Sequence, residues 1–104
     1  MRAEELRSLP EAPTGDPAIE ALWWAAHGDW NRAHECAQAG EGGPADWVHA
    51  YLHRVEGDPA NARYWYARAG KPESRVPLEA EWEEIARDLL ARAGPASDLT
   101  RREA

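Results

Sequence analysis

A chain of 104 residues suits one domain with a single hydrophobic core, and its formal charge of −7 argues against nucleic acid or an anionic membrane as partner. Cys36 is the only cysteine, which excludes an internal disulfide and fits a reducing, cytoplasmic setting. Six Trp and three Tyr stand without any Phe, so much of the apolar mass carries N–H and O–H groups that need partners.

The amino-terminal MRAEELRSLPEAP has no apolar segment and predicts no signal peptide; the longest apolar run, ALWWAA, is too short to cross a bilayer. Residues 1–15 read as an N-terminal segment and linker. One or two amphipathic turns over residues 3–9 place Leu6 and Leu9 on one side, and the Pro- and Gly-dense PEAPTGDP follows. Asp16 with Pro17 behind it is a helix start, and Gly28 is a stop just after His27. Asp29 caps a second helix that ends at Gly40. GEGG leads to Pro44, which opens a third helix ending at Glu56. Asp58 and Pro59 open a fourth, which runs to Gly70. After GKPESRVP a fifth spans residues 78–93, closed by Gly94 and Pro95, with residues 95–104 as a flexible tail. No segment reads as a strand, because period-two alternation is absent.

The chain contains an internal echo. Placing Gly28-Asp29 on Gly57-Asp58 brings Ile19 onto Val48, Leu22 onto Tyr51, Trp23 onto Leu52 and Ala26 onto Val55. These positions follow i, i+3, i+4, i+7, so both preceding helices present the same apolar stripe. In the following helices Ala33 falls on Ala62 and Ala37 on Tyr66. Two copies of one helical hairpin result, and such hairpins bury their apolar faces only by stacking.

GDWNRAHECAQAG and GDPANARYWYARAG resemble the turn and second helix of tetratricopeptide (TPR) repeats, where a Gly-Asp turn precedes a small Ala, an aromatic residue and another Ala. Gly57, Asp58, Ala62, Tyr66 and Ala69 fall in that register. Ala37 and Gly40 depart from it in the first copy, Glu20 and His49 stand where the family has an apolar residue, and the period is shorter than the family's, which is about 34 residues. The string from Trp47 to Gly70 is also similar to small uncharacterised bacterial proteins, which implies no activity. The TPR resemblance implies an all-α fold of two stacked hairpins, residues 16–40 and 44–70, within a repeat domain of residues 16–94. The fifth helix carries Leu78, Trp82, Ile85 and Leu89 in one stripe, with Glu79, Glu83, Glu84, Arg87 and Asp88 elsewhere, and reads as a capping helix. The function expected on this basis is a protein-interaction or scaffold module with a protein or peptide partner. A stack this short also invites completion by a second copy, as a homodimer.

Candidate binding residues lie outside the core stripes. Trp24 is opposite Ile19 and Ala26, and Tyr64 is opposite Ala62, Trp65 and Ala69; with Arg54 and Asn61 they would line a peptide groove, where aromatic and Arg anchors carry most of the energy. The resemblance implies groove-lining roles for Trp47, Tyr51 and Arg54, whereas the apolar stripe makes the first two internal. Both readings stand at this point.

A second class of function rests on the third helix. At about 100° per residue His49, His53 and Glu56 share one polar strip, and i, i+4 spacing stacks the two imidazoles within reach of one metal ion. Glu56 could add an oxygen, and His34 or Glu20 could join from neighbouring helices. The competing reading has both histidines hydrogen-bonding across a helix interface. No cofactor is expected from the chain as a whole, and zinc is the metal this strip would take. Nothing reads as an active site: HExxH and CxxC are absent, and GEGG lacks the strand and the Lys-Ser/Thr of a phosphate loop. Cys36 and His34 diverge by about 200° around their helix. The chain is therefore expected not to be an enzyme.

Overall fold

The computed structural model describes the backbone of residues 1–100 and the side chains of residues 1–92. Six helices account for the regular structure among the described residues, with no strand: α1 Ala3–Ser8, α2 Pro17–Ala26, α3 Trp30–Ala39, α4 Gly43–Val55, α5 Pro59–Ala69 and α6 Leu78–Thr100. Helices α2 to α6 are the five predicted from punctuation. None is long and apolar enough to cross a membrane.

The starts are set by three aspartates. Asp16 accepts from the backbone N–H groups of Ala18 and Ile19, Asp29 from that of Arg32, and Asp58 from that of Asn61. Each satisfies donors that the first helical turn leaves unpaired. The two Gly-Asp turns are built alike. Gly28 and Gly57 sit at φ 82° and 84°, a region that costs an L-side chain strain. Beyond them, the N–H of Asp29 bonds the Trp24 carbonyl at 3.0 Å and that of Asp58 bonds the His53 carbonyl at 2.9 Å. Each turn thus closes one helix with a left-handed glycine and opens the next with the residue that follows.

Helix α2 packs against α3, and α4 against α5; α3 meets α4, while α6 lies against α1, α2 and α4. The core runs through Leu6, Leu22, Val48, Leu52, Tyr66 and Ile85, all essentially fully buried. Residues 1–15 are therefore more than a linker, because Leu6 of α1 is inside and the Trp23 indole donates to the Leu9 carbonyl at 3.0 Å. Three stripe positions fall outside the core: Ala26, Val55 at 42 % exposure and Leu78 at 37 %. Each stands in the first or last turn of its helix, where the neighbouring helix no longer covers it. Helix α6 continues past Ala93, through Gly94 and Pro95, to Thr100 rather than stopping at Ala93. The expected tail, residues 95–104, lies outside the described side chains and, from residue 101, outside the described backbone.

Glu81 of α6 is a charged residue at the centre of this core, with no exposed surface. It accepts from the Arg54 guanidinium at 2.6 Å, the Tyr66 hydroxyl at 2.6 Å and the Trp47 indole at 3.3 Å. Arg54 continues to the Val76 carbonyl at 2.7 Å, tying the loop before α6 to α4. Burial, with the Glu81 carboxylate close by, pushes the Tyr51 hydroxyl up to about 12 and raises that of Tyr66 further. A buried charge persists only when paired and hydrogen-bonded, and this one has three donors.

Candidate metal centre

Helix α4 is buried on most of its circumference; His49 and His53 of its polar strip face α3, while Glu56 at the end of the strip is exposed. His49 is 4 % exposed and His53 is 6 % exposed. From α3, His34 comes in one turn after Trp30, so the contact of α3 with α4 brings this candidate to the two imidazoles of α4, whereas Glu20 does not join them. Donor nitrogens of His34, His49 and His53 all lie within 4.8 Å of one another.

Two indoles hold these rings. His49 stacks on Trp65 of α5, with centroids 3.8 Å apart and planes within 9°, and His53 follows on its other side at 4.9 Å. His34 stacks on Trp30 at 4.7 Å and meets His49 edge-on at 4.6 Å. Trp30 is itself fixed, because its indole N–H donates to the Leu52 carbonyl of α4 at 2.8 Å. The result is two aromatic stacks at nearly right angles, meeting at the imidazoles.

Protonation favours ligation. Burial pushes His49 down to about 4, with His34, His53 and Arg68 adding like-charge repulsion. His34 is lowered by burial and by His53, with Glu56 acting the other way. Both are neutral at physiological pH and keep a lone pair. The His53 Nδ1 lies 2.7 Å from the Glu56 carboxylate, and in the tautomer that donates Nδ1–H to it, Nε2 is the nitrogen with a free lone pair. Glu56 thereby changes role. Glu56, expected as an oxygen ligand, stands instead against the His53 ring, where a carboxylate would fix the tautomer and orientation of a metal-bound histidine. A tetrahedral ion with Zn–N bonds of about 2.0–2.1 Å wants donors about 3.3 Å apart, so side-chain rotation must draw the three nitrogens inward.

Cys36 takes no part: burial and the Glu20 carboxylate raise its thiol to about 11, leaving it protonated. Glu20 is not among the groups whose donor atoms gather with the imidazoles.

The predicted groove residues are not brought together. Trp24 is half-buried, packed edge-on to Trp23 at 5.0 Å with the Arg32 guanidinium 4.7 Å over its face. Arg54 is turned inward onto Glu81, and Trp47 and Tyr51 are buried, which decides for these two in favour of the internal reading. Asn61 is exposed and spends both its backbone and side-chain N–H groups on Asp58. Tyr64 is 54 % exposed, with Arg68 donating to its hydroxyl at 3.4 Å. An open groove of about 520 Å³ runs beside it, lined by Asp46, His49, Trp65 and Arg68 among others, and by none of Trp24, Arg54, Asn61 or Tyr64.

Helical periodicity alone does not identify Trp30 and Trp65 as partners of the histidines. A signal existed in Trp30 and His34, spaced i, i+4. Compared with protein families, curated proteins and solved structures, the chain matches none.

Proposed function

We propose that this protein binds a zinc-class divalent cation between α3 and α4, through His34, His49 and His53, with Glu56 orienting His53. The observation that carries this reading is the convergence of three imidazoles from two helices, two of them buried, with donor atoms within 4.8 Å of one another. Zn²⁺ and its neighbours favour neutral imidazole, and three nitrogens leave one coordination position for water or an exogenous ligand. Titration of tag-free protein with Co²⁺ tests it: one equivalent should bind, with ligand-field absorption of a four-coordinate nitrogen-rich site. Substoichiometric binding overturns the reading, as does binding unchanged in His34→Ala and His49→Ala proteins whose helical circular dichroism is intact.

A second reading keeps the interaction module: a TPR-like pair of stacked hairpins with α6 as the capping helix, taking an acidic peptide. It is favoured by the outer face of α5, where Tyr64 is exposed beneath Arg68 and both Arg68 and Arg63 hold only long ion pairs, 3.7 and 3.9 Å. The matching Gly-Asp turns support the repeat. Anisotropy of labelled Glu-rich peptides, with Tyr64→Ala and Arg68→Glu, tests it; affinity indifferent to both changes counts against it. Light scattering over a concentration range checks the homodimer.

A further inference from the structure

His53 belongs to two donor sets. Inward it joins His34 and His49; outward its ring, the Glu56 carboxylate and the Asp58 carboxylate offer donor atoms within 4.8 Å of one another. Exposure rises along this series, from His49 through His53 to half-buried Asp58 and exposed Glu56. His49, at the inner end, makes no hydrogen bond to any described residue, so the series ends at a buried polar group still wanting a partner.

We propose that Glu56 and Asp58 form the loading position of the metal centre, where an aquated divalent cation is first held before passing to the imidazoles. This rests on the metal reading above. Two arguments favour this route. Two carboxylates at the surface attract a dication electrostatically, which neutral buried imidazoles do not. The rival route, through the groove at His49, has the Arg68 guanidinium beside Asp46 at 3.7 Å, whereas no Arg or Lys of the described residues pairs with Glu56 or Asp58. Asp58 keeps spare acceptor capacity although both its oxygens accept from Asn61, since each carboxylate oxygen has a second lone pair.

Asp58→Asn is the informative change, because asparagine still caps α5 and only the charge is lost. Stopped-flow mixing with Co²⁺, followed by quenching of tryptophan emission, reads the loading rate; a chelator chase reads release. A position on the route but outside the final site obeys microscopic reversibility. Loading and release should both slow by about 3–10-fold, with the dissociation constant unchanged and the salt dependence of loading weakened. Glu56→Gln should slow loading and also weaken affinity about 10-fold, because it loses its hold on His53. Glu83→Gln on α6 controls for net charge, and Asp46→Asn tests the groove. Unchanged loading in Asp58→Asn overturns the proposal, as does equal slowing in Glu83→Gln or slowing in Asp46→Asn alone. Wild-type protein that takes up no Co²⁺ overturns the metal reading itself.

Discussion

The Trp65 indole covers the His49 imidazole face to face at 3.8 Å, so one face of a buried histidine is walled by a residue of the neighbouring helix. The same indole carries the Arg68 guanidinium 5.0 Å from its centroid. The imidazole and the guanidinium therefore pack on one indole, and all three border the same open groove.

Replacing that wall should expose the histidine. Trp65→Ala is expected to cost about 2 kcal/mol of stability, combining partial burial with a lost aromatic pair. The His49 pKa should rise toward the ordinary histidine value as water reaches the ring. Urea denaturation and an NMR titration of the His49 ring protons check the two effects separately.

The metal-stripped protein should lose stability in mild acid. His49 is pushed down to about 4 by burial first, and then by His34 of α3, His53 of α4 and Arg68 of α5, against an ordinary value of 6.5. Between those values the unfolded chain binds a proton that the folded one refuses. Stability is thus complete above pH 6.5, falls as pH drops toward 4, and has nothing further to lose from this group below that. The His49 contribution is about 2–3 kcal/mol, and lowered His34 adds in the same direction. Urea midpoints measured from pH 7.5 to 4 in the presence of chelator check it.

Metal should shift the same curve. At free Zn²⁺ about 100-fold above its dissociation constant the folded state gains about 2.7 kcal/mol, and chelator should remove that gain. His34→Ala and His53→Ala proteins should show no zinc-dependent rise in melting temperature. A scanning calorimeter reads both.

Removing one side of the buried ion pair should be severe. Glu81→Ala leaves the Arg54 guanidinium without its carboxylate, and Arg54→Ala leaves a wholly buried carboxylate without its cation; each should cost about 3–5 kcal/mol. The double change Glu81→Met with Arg54→Met should be milder than either single change. Equilibrium denaturation of the three proteins forms the test.

The helices were readable because their signals are local. Asp16, Asp29 and Asp58 cap, and Gly28 and Gly57 turn the chain, all through bonds spanning a few residues. The pairing of His49 with His53 was equally local, since it depends only on helical pitch. His34 was not, because its approach depends on how α3 crosses α4, and periodicity carries no crossing angle. Glu81 was hidden differently. It lies three residues after Leu78 and four before Ile85, within the apolar stripe, yet a stripe read from apolar residues alone passes over it. A carboxylate set in such a stripe, in a chain with Arg54, Tyr66 and Trp47 available, was the signal. Val55 shows the reverse error: its spacing put it inside, and the end of the helix left it out.

His53 and Arg54 are consecutive residues with opposite allegiances, one facing the ring cluster and the other gripping Glu81 and the Val76 carbonyl. A contraction of the imidazoles around an ion would pull on the same turn of backbone that anchors the clasp on α6. Tension applied at the ring cluster would in this way reach the buried clasp through a single peptide unit.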